Sequence, residues 1–170
     1  MTNIVLIGMM GSGKTTVGKL IGQKSGMDFV DTDVLIENEA KVCISDIFKQ
    51  FGEKYFRKCE AETAQKVAQH KNAVIATGGG MILNPKNMAF LSECGFVVYL
   101  KCEVSLLHQR LSGVSDRPLL HKLDELLTQR EALYEKYSNF TADGSIEPDR
   151  LAEMILHEYE YKHNCNYKRT

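Results

Sequence analysis

Gly8-Met9-Met10-Gly11-Ser12-Gly13-Lys14-Thr15 is the stretch whose reading decides the fold. It follows the apolar run Ile4-Val5-Leu6-Ile7, which reads as a buried strand. Behind it, Val17, Leu20 and Ile21 recur at helical spacing. The order is strand, glycine-rich turn, helix, with the G-x-x-x-x-G-K-[ST] spacing complete. Glycines at 8, 11 and 13 allow close backbone approach, so successive amide N–H groups can converge on one anion. A helix opening near Lys14 adds its positive dipole end and N–H donors. Lys14 can reach the β- and γ-phosphates of a nucleotide, and the Thr15 hydroxyl can ligate Mg²⁺. The stretch reads as a nucleoside triphosphate site.

Outward from this loop, strand-like and helical segments alternate. Strands are predicted at 3–8, 28–31, 73–77 and 96–101, with a weak fifth near 140–142. Helices are predicted at 14–26, 34–40, 44–70, 85–94, 103–112, 124–138 and 148–162, the third interrupted at Gly52. This alternation implies a single α/β domain over 1–162, a parallel five-stranded sheet between two helical layers. In such sheets ligands bind beyond the carboxyl ends of the strands. The polar tail 163–170 is expected to fray.

Bulk properties narrow the function. The formal net charge of −1 offers no global attraction to nucleic acid or to an anionic membrane. No run approaches the length of a membrane span, so a soluble, cytoplasmic chain is expected. The five cysteines lack any C-x-x-C pair and suggest neither a disulfide framework nor a zinc site.

Residues past the strand ends carry the chemistry. After the second strand, both carboxylates of Asp31-Thr32-Asp33 can face one site. Asp31 is a candidate to support Mg²⁺ through water. Asp33 either orients a substrate hydroxyl or caps the helix expected from Val34. Gly78-Gly79-Gly80 suits a backbone lying against a ligand, or a flexible loop. Arg57 and Glu60 are three apart and can pair, although Arg57 alone reads as a surface charge, and Phe48 and Phe56 read as core. From about 112 to 123 the periodicity breaks around Arg117-Pro118, as in a mobile lid carrying an arginine to a phosphoryl group. Arg110, Arg117 and Arg130 also admit the reading of plain surface charge.

Taken in order, these motifs resemble shikimate kinase, a P-loop kinase family. The resemblance rests on Gly8–Thr15, Asp31-Thr32-Asp33, Ile47-Phe48, Gly52-Glu53, Phe56-Arg57 and Glu60. It continues through Gly78-Gly79-Gly80, Arg117-Pro118-Leu119-Leu120 and Arg130-x-x-x-Tyr134. It implies a three-layer P-loop NTPase fold and a monomer that phosphorylates shikimate with ATP and Mg²⁺. Gly11, Ser12, Gly13, Lys14, Thr15, Thr16, Arg110, Arg117 and the Pro148 region would surround ATP. Asp33, Arg57, Gly79, Gly80 and Arg130 would hold shikimate, the two arginines on its carboxylate. Lys14, Asp33 and Arg117 would be catalytic, with Thr15 and Asp31 serving the metal. Lys41, Ala132 and Ser138 depart from residues common in the family, respectively glycine, proline and alanine.

A related small-molecule kinase, for gluconate or a nucleotide, is the nearest rival. A nucleotide switch is a second, but the chain lacks an Asn-Lys-x-Asp guanine signature. The lid reading makes a firm demand. Arg117→Ala should lower kcat by roughly 10³-fold or more, since such arginines are worth ~10³–10⁵ in rate. Steady-state kinetics check this, and a loss under about tenfold contradicts the role assigned from comparable arginines.

Overall fold

The computed structural model describes residues 3–112 and 122–167, with side chains up to 163. Five strands form one parallel sheet: β1 (Asn3–Ile7), β2 (Asp28–Asp31), β3 (Ala73–Ala76), β4 (Gly95–Lys101) and β5 (Phe140–Asp143). Their order is β2-β3-β1-β4-β5. The three inner strands are buried almost throughout, whereas the edge strands β2 and β5 keep partial exposure. Burial on both faces explains why the inner strands read as unbroken apolar runs.

Alternate side chains enter opposite cores. Ile4, Leu6, Val74, Val98 and Leu100 pack with Val17 and Ile21 of α1 (Lys14–Ser25). Leu151 and Ile155 of α7 (Pro148–Tyr167) complete that side. Val5, Ile7, Ile75, Val97 and Tyr99 face the other way. There they meet α3 (Ile44–Val67), α4 (Pro85–Cys94), α5 (Val104–Leu111) and α6 (Leu123–Tyr137). The expected three-layer arrangement is present. A third, smaller apolar cluster joins Ile36 of α2 (Thr32–Ala40) to Ile47 and Phe56 of α3.

Register sets the site. Asp31 lies beside Ala76, and Leu6 beside Ala76 on the other flank. Two contacts bind these ends together. Thr77 donates from N–H and Oγ1 to the Leu6 carbonyl, at 3.1 and 3.0 Å. The Gly78 N–H donates to Thr32 Oγ1 at 2.9 Å.

Two local expectations need correction. α2 begins at Thr32, not Val34, and its cap is Asp31, whose Oδ1 accepts the Asp33 N–H at 3.0 Å. Asp33 therefore sits in the first helical turn, free of capping duty. The terminal helix runs on to Tyr167, past its predicted end at 162. An aromatic series supports it: Tyr159 packs on Phe96, and His163 meets Tyr159 edge-on at 4.8 Å. A 3-10 turn at Met81–Leu83 had no clear sequence signal. Gly52 does break α3, with φ 77° and ψ 171°. Nearly all of the expected lid, residues 113–121 with Arg117, lies outside the described residues.

Lys41 closes α2 in the left-handed conformation, with φ 60°. A residue with a Cβ pays roughly 1–2 kcal/mol there, which is why glycine suits this cap. Ala132, by contrast, lies inside α6 and leaves its helical ladder unbroken. Lys41→Gly should raise stability by roughly 0.5–1 kcal/mol, the strain relieved less the added unfolded-state entropy. Urea melts of the two proteins test this, and an unchanged midpoint contradicts it.

Candidate active site

The loop after β1 turns on three glycines with positive φ: Gly8 at 146°, Gly11 at 80° and Gly13 at 94°. It leads directly into α1, so its amides and the helix N-terminus border one space. Lys14 is nearly buried. Its Nζ donates to the carbonyls of Gly8 and Met9 at 2.9 and 2.7 Å, and lies 3.4 Å from Ser12 Oγ. These oxygens hold the ammonium at the mouth of the loop. Thr15 Oγ1 donates to Asp31 Oδ2 at 2.8 Å, placing a hydroxyl and a carboxylate side by side.

A cavity of about 690 Å³ opens over this loop. Gly11, Ser12, Gly13, Lys14, Thr15 and Thr16 line its base, with Asp31 and Asp33 on one flank. Arg110, Ile146 and Pro148 line the opposite flank. Arg110 donates to the Gly11 carbonyl at 3.4 Å and to the Gly144 carbonyl at 2.9 Å, so it joins the loop to the segment after β5. The sequence reading missed Gly144 and Ile146, since a turn after an edge strand gives no signal of what it faces.

A second cavity, of about 60 Å³, adjoins the first. Asp33, Met10, Ile44 and Gly79 line both. Arg57, Glu60, Gly80, Arg130, Phe48 and Phe56 line the second alone. The structure thus brings together Asp33, Arg57, Gly79, Gly80 and Arg130. Arg130 is no surface charge, being only 3% exposed. Its Nη1 donates to the Gly79 carbonyl at 3.3 Å, while its buried Nε has no partner among the described residues. Phe48 and Phe56, read as core, also wall the small cavity, their rings 4.9 Å apart.

Arg57 is held between two carboxylates. Its Nη1 donates to Glu60 Oε2 at 2.7 Å, and its Nη2 to Glu53 Oε1 at 2.7 Å. Glu60 is 1% exposed, and its Oε1 is without a partner among the described residues. Burial pushes the Glu60 carboxyl up from its ordinary range, and the Arg57 charge pulls it part of the way back. Burial also works against the Arg57 charge, but Glu60 and Glu53 outweigh it and raise its pKa. Glu60, read from the sequence as a helix partner of Arg57 and as part of the family motif, lines the cavity itself. The pocket therefore combines Arg57, Arg130, Glu60 and Asp33, with Arg130 Nε and Glu60 Oε1 unmatched among the described residues. A polar ligand bearing both an anionic end and hydroxyls satisfies them, and leaving them buried and unmatched is costly.

A phosphate-gripping loop after β1, an acid after β2, a glycine triplet after β3 and a second polar cavity together define a P-loop kinase of small molecules. A model of the family "Shikimate kinase" matches residues 10–160. The shikimate kinase of Thermodesulfovibrio yellowstonii is 43% identical over 166 residues, 94% of this chain and 96% of that protein. Among solved structures, the Acinetobacter baumannii shikimate kinase in complex with shikimate superposes with a TM-score of 0.89 at 37% identity. That match covers 95% of this chain and 94% of the other. A gluconokinase from Sinorhizobium meliloti is also similar, at 18% identity and a TM-score of 0.66, covering 99% of this chain and 97% of that one, and shares the fold alone. The chain belongs to the shikimate kinase family.

One close approach can be tested directly. A Cβ on Gly80 would overlap the Arg57 guanidinium. Gly80→Ala should therefore displace Arg57 and weaken binding in the small cavity by about tenfold or more, the cost of a lost charged hydrogen bond. Calorimetry of each ligand separately checks this. Nucleotide affinity should stay within about twofold, a change worth under half a kcal/mol, and unaltered acceptor affinity contradicts the assignment.

Proposed function

We propose that the chain transfers the γ-phosphoryl group of ATP to the 3-hydroxyl of shikimate, with ATP over the loop and shikimate in the small cavity. The observation that carries this reading is the buried polar set itself. Two guanidiniums, one with an N–H unmatched among the described residues, converge where Asp33 divides this cavity from the nucleotide space. Guanidinium binds a carboxylate through paired, charge-assisted bonds, which suits the acid end of shikimate. Asp33 then meets the ring hydroxyls on the side nearest the phosphate chain. The A. baumannii relative, solved with shikimate, supports the choice of acceptor over gluconate.

Transfer is a matter of position and charge. The hydroxyl oxygen attacks the γ-phosphorus in line, the bond to the β–γ bridging oxygen breaks, and ADP leaves. Asp33 orients the attacking hydroxyl and is placed to accept its proton. Lys14 turns from the loop carbonyls to the phosphates, where its charge offsets the charge that develops in transfer. The oxygen pair Thr15–Asp31 suits Mg²⁺, which binds through one or two protein oxygens together with phosphates and water. Mg²⁺, when bound, supplies charge neutralisation on the phosphate oxygens. Arg117 is assigned to the transferring group from the sequence motif alone. Among the described residues, no helix is long and apolar enough to cross a membrane.

The direct experiment measures ADP release with shikimate, gluconate and nucleoside monophosphates side by side. Shikimate alone should give rapid turnover; equal turnover with gluconate, or hydrolysis indifferent to any acceptor, contradicts the proposal. Asp33→Asn should lower kcat by roughly 10²-fold or more, in the range of general-base contributions, with the fold intact by circular dichroism. Arg130→Ala should raise the Kd for shikimate by about one to two decades, since charged hydrogen bonds are worth roughly 1.5–3 kcal/mol. Unchanged affinity by calorimetry removes Arg130 from the site.

A further inference from the structure

We propose that Tyr134 is a positioning residue for the acceptor: its hydroxyl pins the Gly79 carbonyl and thereby aims the Gly80 N–H at the small cavity. The proposal rests on the reading of that cavity as the shikimate site.

Tyr134 is wholly buried on α6, its ring stacked on Tyr99 at 4.9 Å and 16°. Its hydroxyl donates to the Gly79 carbonyl at 2.6 Å. Met9 Sδ, at 3.5 Å, is the only competing acceptor in contact and a weaker one among the described residues. Burial pushes the phenol pKa upward, so the group stays a donor across the working range of pH. Arg130, one turn earlier on the same helix face, reaches the same carbonyl at 3.3 Å. Tyr134 makes the shorter bond of the two.

The peptide geometry gives this bond its consequence. In the glycine triplet, the Gly78 carbonyl accepts from Met81 N–H at 3.1 Å, and the Gly80 carbonyl accepts from Leu83 N–H at 3.0 Å. Local turn bonds therefore hold both of those peptides. Among the described residues the Gly79–Gly80 peptide has no such bond, and glycine on both sides gives it wide rotational freedom. Its carbonyl is held from α6. No peptide in the described chain is cis, so the Gly80 N–H points opposite to the Gly79 carbonyl. That N–H takes no part in the turn bonds and belongs to a residue lining the small cavity beside Arg57. Tyr134 thus fixes one substrate-facing donor directly, and shares the Gly79 carbonyl with the guanidinium of Arg130.

Tyr134→Phe keeps the ring and its stack and removes only the hydroxyl. The Kd and KM for shikimate should rise about 3- to 10-fold, the span of one neutral hydrogen bond. The KM for ATP and kcat should move less than about twofold, under half a kcal/mol. A residue that merely stabilised the fold would lower the melting temperature and the active fraction without moving the KM of one substrate. Tyr99→Phe, a change in the other ring of the stack, should leave shikimate affinity unaltered and serves as the packing control. Shikimate affinity that is weakened by Arg130→Ala but indifferent to Tyr134→Phe overturns this proposal alone. A wild-type chain that binds no shikimate overturns it together with the reading of the cavity. An equal loss of shikimate affinity in Tyr99→Phe also overturns it, because the effect would then belong to the stack.

Discussion

The structure depends on three parallel strand ends being tied into one ledge. Thr77 grips the last turn of β1 through the Leu6 carbonyl, and Gly78 grips the start of α2 through the Thr32 hydroxyl. These bonds are buried, so each is worth more intact than its net strength suggests, because breaking one leaves a polar group unmatched. They set the phosphate loop, the Asp31–Asp33 turn and the glycine triplet side by side. Without that ledge, Asp33 and Lys14 would belong to separate surfaces.

On the ledge, charge is arranged for a ligand to complete. Arg57 is balanced by Glu53 and Glu60, while the buried Arg130 donates to the Gly79 carbonyl. Among the described residues, Glu60 and Arg130 each present an unmatched polar atom. A buried ion pair adds little to stability on balance, whereas a buried, partly satisfied set holds binding potential. The glycine triplet makes this possible by leaving room. A Cβ at Gly78 would come within 2.5 Å of Asp33 Oδ1, and one at Gly80 would overlap Arg57. The acids and guanidiniums can close in only because the backbone between them carries no side chains.

Much of this was legible in the chain, for reasons that are local. The loop at 8–15 needs positive φ at fixed positions, so its glycine spacing carries the geometry in itself. The inner strands announce double-sided burial by their composition, and Gly52 announces a break in its helix. What escaped was long-range. Arg130 by itself reads as a solvated helix residue and came to the site only through the family resemblance; its burial and its bond to the Gly79 carbonyl come from the fold. Glu60, Phe48 and Phe56 stood in the family motif, but residue by residue they read as a partner for Arg57 and as core, and only the fold turns them into walls of the cavity. The start of α2 was misplaced because Asp31 and Asp33 are equally good caps by type. The hydrogen bond from Asp33 N–H to Asp31 decides between them.

The central claim is that the two cavities are halves of one reaction site that meets at Asp33. The most direct measurement is a crystal structure of the chain with ADP and shikimate bound together. The account predicts ADP phosphates on the loop amides and the shikimate 3-hydroxyl about 2.6–3.2 Å from an Asp33 carboxylate oxygen, the reach of a general base. Shikimate bound away from Asp33, or with its carboxylate out of contact with both Arg57 and Arg130, would contradict it.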